Sequence, residues 1–126
     1  MGLFDIFKRS KFVDEIIQNI PDVGKPTNKK GKIRIEFGNA GTEGTIYFYE
    51  ENGILKEITA IPCGFTLSSC EKHFKQLFTD LQTKGYKLEE GYFGITLENG
   101  THRISIKPPE PGPAGYRGFI RITKNN

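Results

Sequence analysis

Twice in this chain the tripeptide Glu-Asn-Gly interrupts a run of alternating apolar and polar residues. Glu51-Asn52-Gly53 lies between TIYFYE (45–50) and ILKEITAI (54–61), and Glu98-Asn99-Gly100 lies between YFGITL and THRISIK. Asn-Gly suits a two-residue hairpin turn because both residues tolerate positive φ, and a period of two turns one side of each strand toward a core. A chain marked in this way folds around antiparallel strand pairs, and its helices must fit beside them.

Two further alternating runs, KIRIEF at 32–37 and GFIRITK at 118–124, bring the expected strands to about six. Between the two groups, Ser68-Ser69-Cys70-Glu71 has the form of a capping box. The helix it opens carries Cys70, Phe74, Leu77, Phe78 and Leu81 on one face, and Gly85 closes it. The expected fold class is α+β, in the order α-βββ-α-βββ, with a largely antiparallel sheet covered by one amphipathic central helix and preceded by an N-terminal helical segment. PPEPGPAG at 108–115 reads as a stiff loop. Gly44, Glu51-Asn52-Gly53 and Lys56 recur 47 residues later as Gly91, Glu98-Asn99-Gly100 and Arg103, an echo that any two Asn-Gly hairpins also produce.

With 126 residues the chain fits one domain, divided into a helical segment at 1–20, a linker at 21–31 (PDVGKPTNKKG) and an α+β core at 32–124. Ten Phe and five Tyr supply the bulk of a core. Cys63 and Cys70 are too few for a disulfide scaffold, and their spacing is not a zinc pattern, so a reducing cytoplasm is the expected location. The net charge of +3 is unevenly spread: residues 1–34 sum to +4, 35–100 to −5 and 101–126 to +4. Basic ends around an acidic middle favour a steered partner over indiscriminate phosphate binding.

At the N-terminus, Leu3, Phe4 and Phe7 share one side of a helix, while Phe12, Val13, Ile16, Ile17 and Ile20 form a second stripe turned well away from the first. One straight helix would expose one of the two, so a break is expected near Ser10. Ser10 then caps the following helix, with Asp14 and Glu15 at its positive end and Pro21 as its stop. The string GLFDIFK resembles the opening of the short amphipathic antimicrobial peptides of frog skin, which implies a membrane or partner contact through Leu3, Phe4 and Phe7; the stripe does not continue in phase. A secretory signal, a myristoylation motif and a transmembrane run are not found in the sequence.

If Ile33, Ile35, Ile46, Phe48, Ile104, Ile106, Ile120 and Ile122 face the helix, the other face of the sheet carries Lys32, Arg34, Tyr47, Tyr49, Arg103, Lys107, Phe119 and Arg121. Cations interleaved with aromatics suit an acidic protein surface, and they also suit the stacked bases of a single-stranded nucleic acid. Solvated sheet faces carry the same residue types for structural reasons. Cys70 and His73 are the one pair resembling a nucleophile and base, and Cys70 also falls on the apolar stripe. P-loop, dinucleotide-binding, hydrolase-elbow and zincin motifs are missing, and two histidines do not make a metal site. The expectation is a non-catalytic binding module without cofactor or metal. It would bind, and neutralise or adapt, a partner protein with an acidic surface, as small toxin-blocking immunity proteins do. A nucleic-acid platform is the alternative.

Overall fold

The turn at Asn52-Gly53 takes positive φ at both residues, 54° and 78°, and joins Glu51 directly to its partner Ile54. This is the type I′ hairpin that Asn-Gly prefers. The second Glu-Asn-Gly turns differently. Glu98 pairs with Arg103 across a four-residue loop, in which the Asn99 carboxamide oxygen accepts from the backbone N–H of Thr101 (3.0 Å) and of His102 (2.9 Å). The same three letters thus build an Asx turn here.

The computed structural model describes residues 9–36, 42–89 and 95–125. They form seven strands, β1 (Gly31–Glu36), β2 (Thr42–Glu51), β3 (Ile54–Gly64), β4 (Lys87–Glu89), β5 (Ile95–Glu98), β6 (His102–Gly112) and β7 (Gly115–Lys124), with helices α1 (Lys11–Asn19) and α2 (Leu67–Thr83). All pairings are antiparallel, in the order β1-β2-β3-β7-β6-β5-β4. Each helix precedes a meander, and the last strands of the two meanders, β3 and β7, pair at the centre of the sheet. The Glu-Asn-Gly echo equates β3 with β6, whereas the pairing sets β3 against β7, so the echo is not the repeat of this fold.

Period-two burial runs across the whole sheet. Ile33, Ile46, Ala60, Ile120, Ile106 and Ile95 follow one another strand by strand, and Phe48, Ile58, Ile122, Ile104 and Leu97 make a parallel row. Both rows lie under the helices and supply the sheet side of the buried core. α2 adds Cys70, Phe74, Leu77 and Leu81, and α1 adds Phe12, Val13 and Ile16. Two glycines admit the helices closely: the Phe12 ring fills the space a Cβ on Gly44 would take, and the Phe74 ring does the same at Gly118.

The ends of the helices follow from local chemistry. Ser10 is the N-cap of α1, as its sequence implies, and accepts from the Val13 N–H. After α1 a 3₁₀ turn, Ile20–Asp22, carries Pro21 at its start. α2 begins earlier than the expected capping box: its N-cap is Thr66, reciprocally bonded with Ser69. It ends at Gly85 (φ 93°) with Gly85 N–H to Gln82 and Tyr86 N–H to Leu81, a Schellman closure.

Three segments differ from the sequence reading. The Pro/Gly/Lys stretch after α1 lies along the start of β3, with Gly24 N–H on Leu55, Leu55 N–H on Lys25 and Thr27 N–H on Gly53, and it buries Val23. The tract 108–115 is the far end of the β6–β7 hairpin, pairing Glu110 with Arg117 and Pro111 with Tyr116 beyond a bulge after Lys107. β4, whose three residues alternate too briefly to show a period, is the seventh strand.

Candidate interaction surface

Both helices lie on one face of the sheet, and among the described residues no element covers the other, the open face. Every residue expected on the open face lies there. Lys32, Tyr47, Thr59, Arg121 and Ser105 run across it in register, as do Tyr49, Glu57, Thr123 and Arg103, and Lys107 sits opposite Phe119. Arg34 is exposed on the edge strand, and Phe119 is half-buried. Leu3, Phe4 and Phe7 lie outside the described residues.

The charge on this face is less basic than a list of its cations suggests. Arg121 pairs with Glu57 at 2.9 Å, Arg103 with Glu98 at 3.2 Å and Glu89 at 3.9 Å, and Arg34 with Glu36 at 3.4 Å. Glu98 draws its carboxyl below the usual range through the Glu89 hydrogen bond and the Arg103 guanidinium, while Glu89 is pushed up. These exposed pairs neutralise the middle of the face and add little stability. Among the described residues, Lys32, Lys107 and Arg117 have no ion-pair partner.

At one end of the face an exposed aromatic and a cation without an ion pair among the described residues line the same groove. The bulged tip of the β6–β7 hairpin approaches the end of β3, where the backbone at Gly64 and Phe65 leaves no room for a Cβ on Gly115 (φ 125°). The two strands and β2 enclose a groove of about 400 Å³ lined by Arg34, Tyr47, Cys63, Phe65, Tyr116 and Arg117, among others. Phe65 at its rim is 71% exposed, the most of any large apolar residue described, and Tyr49 (58%) and Tyr47 (39%) continue the aromatic surface along β2. Sequence reasoning missed Phe65, Tyr116 and Arg117 because it read PCGFTL as a connector and 108–115 as a free loop. A phenylalanine between a glycine and a helix cap, with no stripe to join, was the available signal.

The thiols differ from the nucleophile reading. Cys70 is fully buried, donates to the Pro62 carbonyl at 3.5 Å, and burial pushes its pKa up to about 11. Burial also raises Cys63, against the opposing charges of Arg117 and Arg34. His73 does not engage Cys70. Its Nδ1 lies 2.9 Å from Ser10 Oγ, inside a buried polar cluster at the start of α1. There Glu43 accepts from Ser10 Oγ (3.1 Å) and from the Phe12 N–H (2.8 Å), and Gln76 accepts from the Ser10 N–H (2.9 Å).

With Glu43 as a carboxylate, which only accepts, the single Ser10 proton points to Glu43, and Ser10 Oγ receives the N–H of both Val13 and His73 Nδ1. A serine nucleophile would need the reverse, with its proton on the imidazole. The arrangement instead caps α1 and ties it to α2 and β2. Glu43 reaches inward because Ile35 pairs with Gly44 and Glu36 with Thr42, which leaves Glu43 as the extra residue of a bulge. Among the described residues no group of three or more His, Cys, Asp or Glu could hold a metal ion, and no helix is long and apolar enough to cross a membrane. Comparison of the chain with protein families, with curated proteins and with solved structures finds no match.

Proposed function

We propose that this protein is a non-catalytic binding module whose open-face groove takes an acidic, partly apolar segment of a partner protein. The observation that carries the reading is that the exposed Phe65 and Arg117, an arginine with no ion-pair partner among the described residues, line one groove of about 400 Å³. Aromatic residues and arginine are among the residue types enriched at protein interfaces. Neutralising or adapting the partner, in the manner of an immunity protein, is the activity this proposal extends to. The two unpaired thiols fit a reducing cytoplasm.

A nucleic-acid platform is the second reading, supported by Tyr47 and Tyr49 exposed two residues apart on one strand face. Glu57, Glu89 and Glu98 on or beside that face would repel a phosphate backbone, which favours the protein partner. The test is capture from the lysate of the native cells, with and without nuclease, using the wild-type chain and a Phe65→Ala, Arg117→Glu variant. The expected result is a protein retained by the wild type in both halves and lost by the variant, with unchanged thermal unfolding. Equal retention by the variant would overturn the groove, and loss on nuclease treatment would select the nucleic-acid reading.

A further inference from the structure

A second cavity, of about 520 Å³, shares no lining residue with the open-face groove. It opens where the segment after α1 meets the end of α2, the β5–β6 turn and the end of β7. Ile17, Ile20 and Val23 form apolar wall, and Lys25, Lys84 and Lys124 come to it from three separate elements. No acid lines it. Among the described residues no ion pair or side-chain hydrogen bond engages any of the three ammonium groups.

The walls are built rather than incidental. His102, buried, donates from Nε2 to the Val23 carbonyl at 3.0 Å and so fixes the apolar wall to β6. Asn99 holds the adjoining turn by accepting from Thr101 and His102. The stem of Lys124 lies over Gly24, occupying the space a Cβ there would take. Lys84 is the C-cap of α2, whose negative dipole end suits a cation, so Lys25 and Lys124 carry most of the uncompensated charge. Three like charges around one open cleft repel one another until an anion joins them, and the volume is in the range of small-ligand sites.

We propose that this cavity binds a small amphipathic anion, with a phosphate or carboxylate headgroup among Lys25, Lys84 and Lys124 and a hydrocarbon body against Ile17, Ile20 and Val23. The proposal stands independently of the groove. Its test is a titration of the isotope-labelled full chain, followed by amide NMR shifts, with hexyl phosphate, inorganic phosphate and hexanol as probes. Hexyl phosphate should give saturable shifts at Val23, Gly85, Thr101 and Lys124. A Lys25→Gln, Lys124→Gln variant that unfolds at the wild-type temperature should bind it about tenfold more weakly or less well still. Inorganic phosphate and hexanol should each bind more weakly than the molecule combining them.

Absence of saturable shifts, equal binding by the variant, or hexanol binding as well as hexyl phosphate would overturn the proposal. Flotation with phosphatidylglycerol vesicles separates the sources of such a headgroup. Co-flotation lost in the variant assigns it to a bilayer lipid, whereas a soluble response without flotation assigns it to a free molecule.

Discussion

Ser10 has one proton and two lone pairs, and the buried cluster uses all three. Ser10→Ala therefore removes a helix cap and also strands a carboxylate oxygen and an imidazole N–H away from water. The expected loss of stability is about 2–4 kcal/mol in urea denaturation, above the ~1 kcal/mol of a cap alone. His73 gives the cluster a pH dependence. Burial holds its pKa below the ordinary value, with Glu43 opposing and Lys72 reinforcing that effect. The unfolded chain then takes up its proton at a higher pH than the folded one. The fold has the full benefit above the ordinary histidine value of about 6.5 and loses it progressively as pH falls below that value. The wild type should lose more stability than His73→Gln between about pH 7.5 and about pH 5.5, and equal losses would remove His73 as the cause. The histidine's nearness to Cys70 was plain in the sequence, but its partner was not. Alternation along β2 assigns Glu43 to the open face with Thr45 and Tyr47, and only the bulge turns it inward.

At the scale of elements, the helices sit where glycine lets them. Gly44→Ala would set a methyl group against the Phe12 ring and the Ile61 carbonyl, forcing α1 off β2. The expected cost is about 1–3 kcal/mol, read as a lower thermal midpoint, and Gly100→Ala serves as a contrast because nothing lies near its Cβ and only its positive φ is strained. The α1 stripe, its Ser10 cap, the α2 face and the first hairpin were all legible, because each depends on neighbours within one turn or one strand pair. The proline tract was not. Pro108 and Pro109 are carried by β6 because they fall in the break of its register with β7 between Lys107 and Glu110, where neither has a partner on that strand. That exemption is set by the register of a different strand, and no local pattern records it. The groove was missed for the same reason, since its two walls are 50 residues apart at Phe65 and Gly115.

For the whole molecule, the sheet face was assigned correctly from alternation alone, while its charge was not, since pairing Arg121 with Glu57 and Arg103 with Glu98 needs the strand register. At fixed register, Glu57→Gln should release Arg121 and strengthen binding of an acidic partner in the groove's neighbourhood, by a few-fold at low salt and less at high salt, measurable by titration once the partner is in hand. The outer strands of the sheet have another consequence. β1 presents Lys32, Arg34 and Glu36, and β4 is only three residues long with Lys87 and Glu89 at its ends. Unpaired strand edges invite copies of the same chain to add on, and short, charged edges discourage it. Lys32 and Arg34 thus place charge on an edge strand of the face proposed to bind a partner. Replacing both with valine should promote growth by strand addition relative to the wild type, visible as rising light scattering with thioflavin fluorescence. A sheet that leaves an edge strand uncapped has to keep its own copies at a distance, and here that duty falls on two charged side chains.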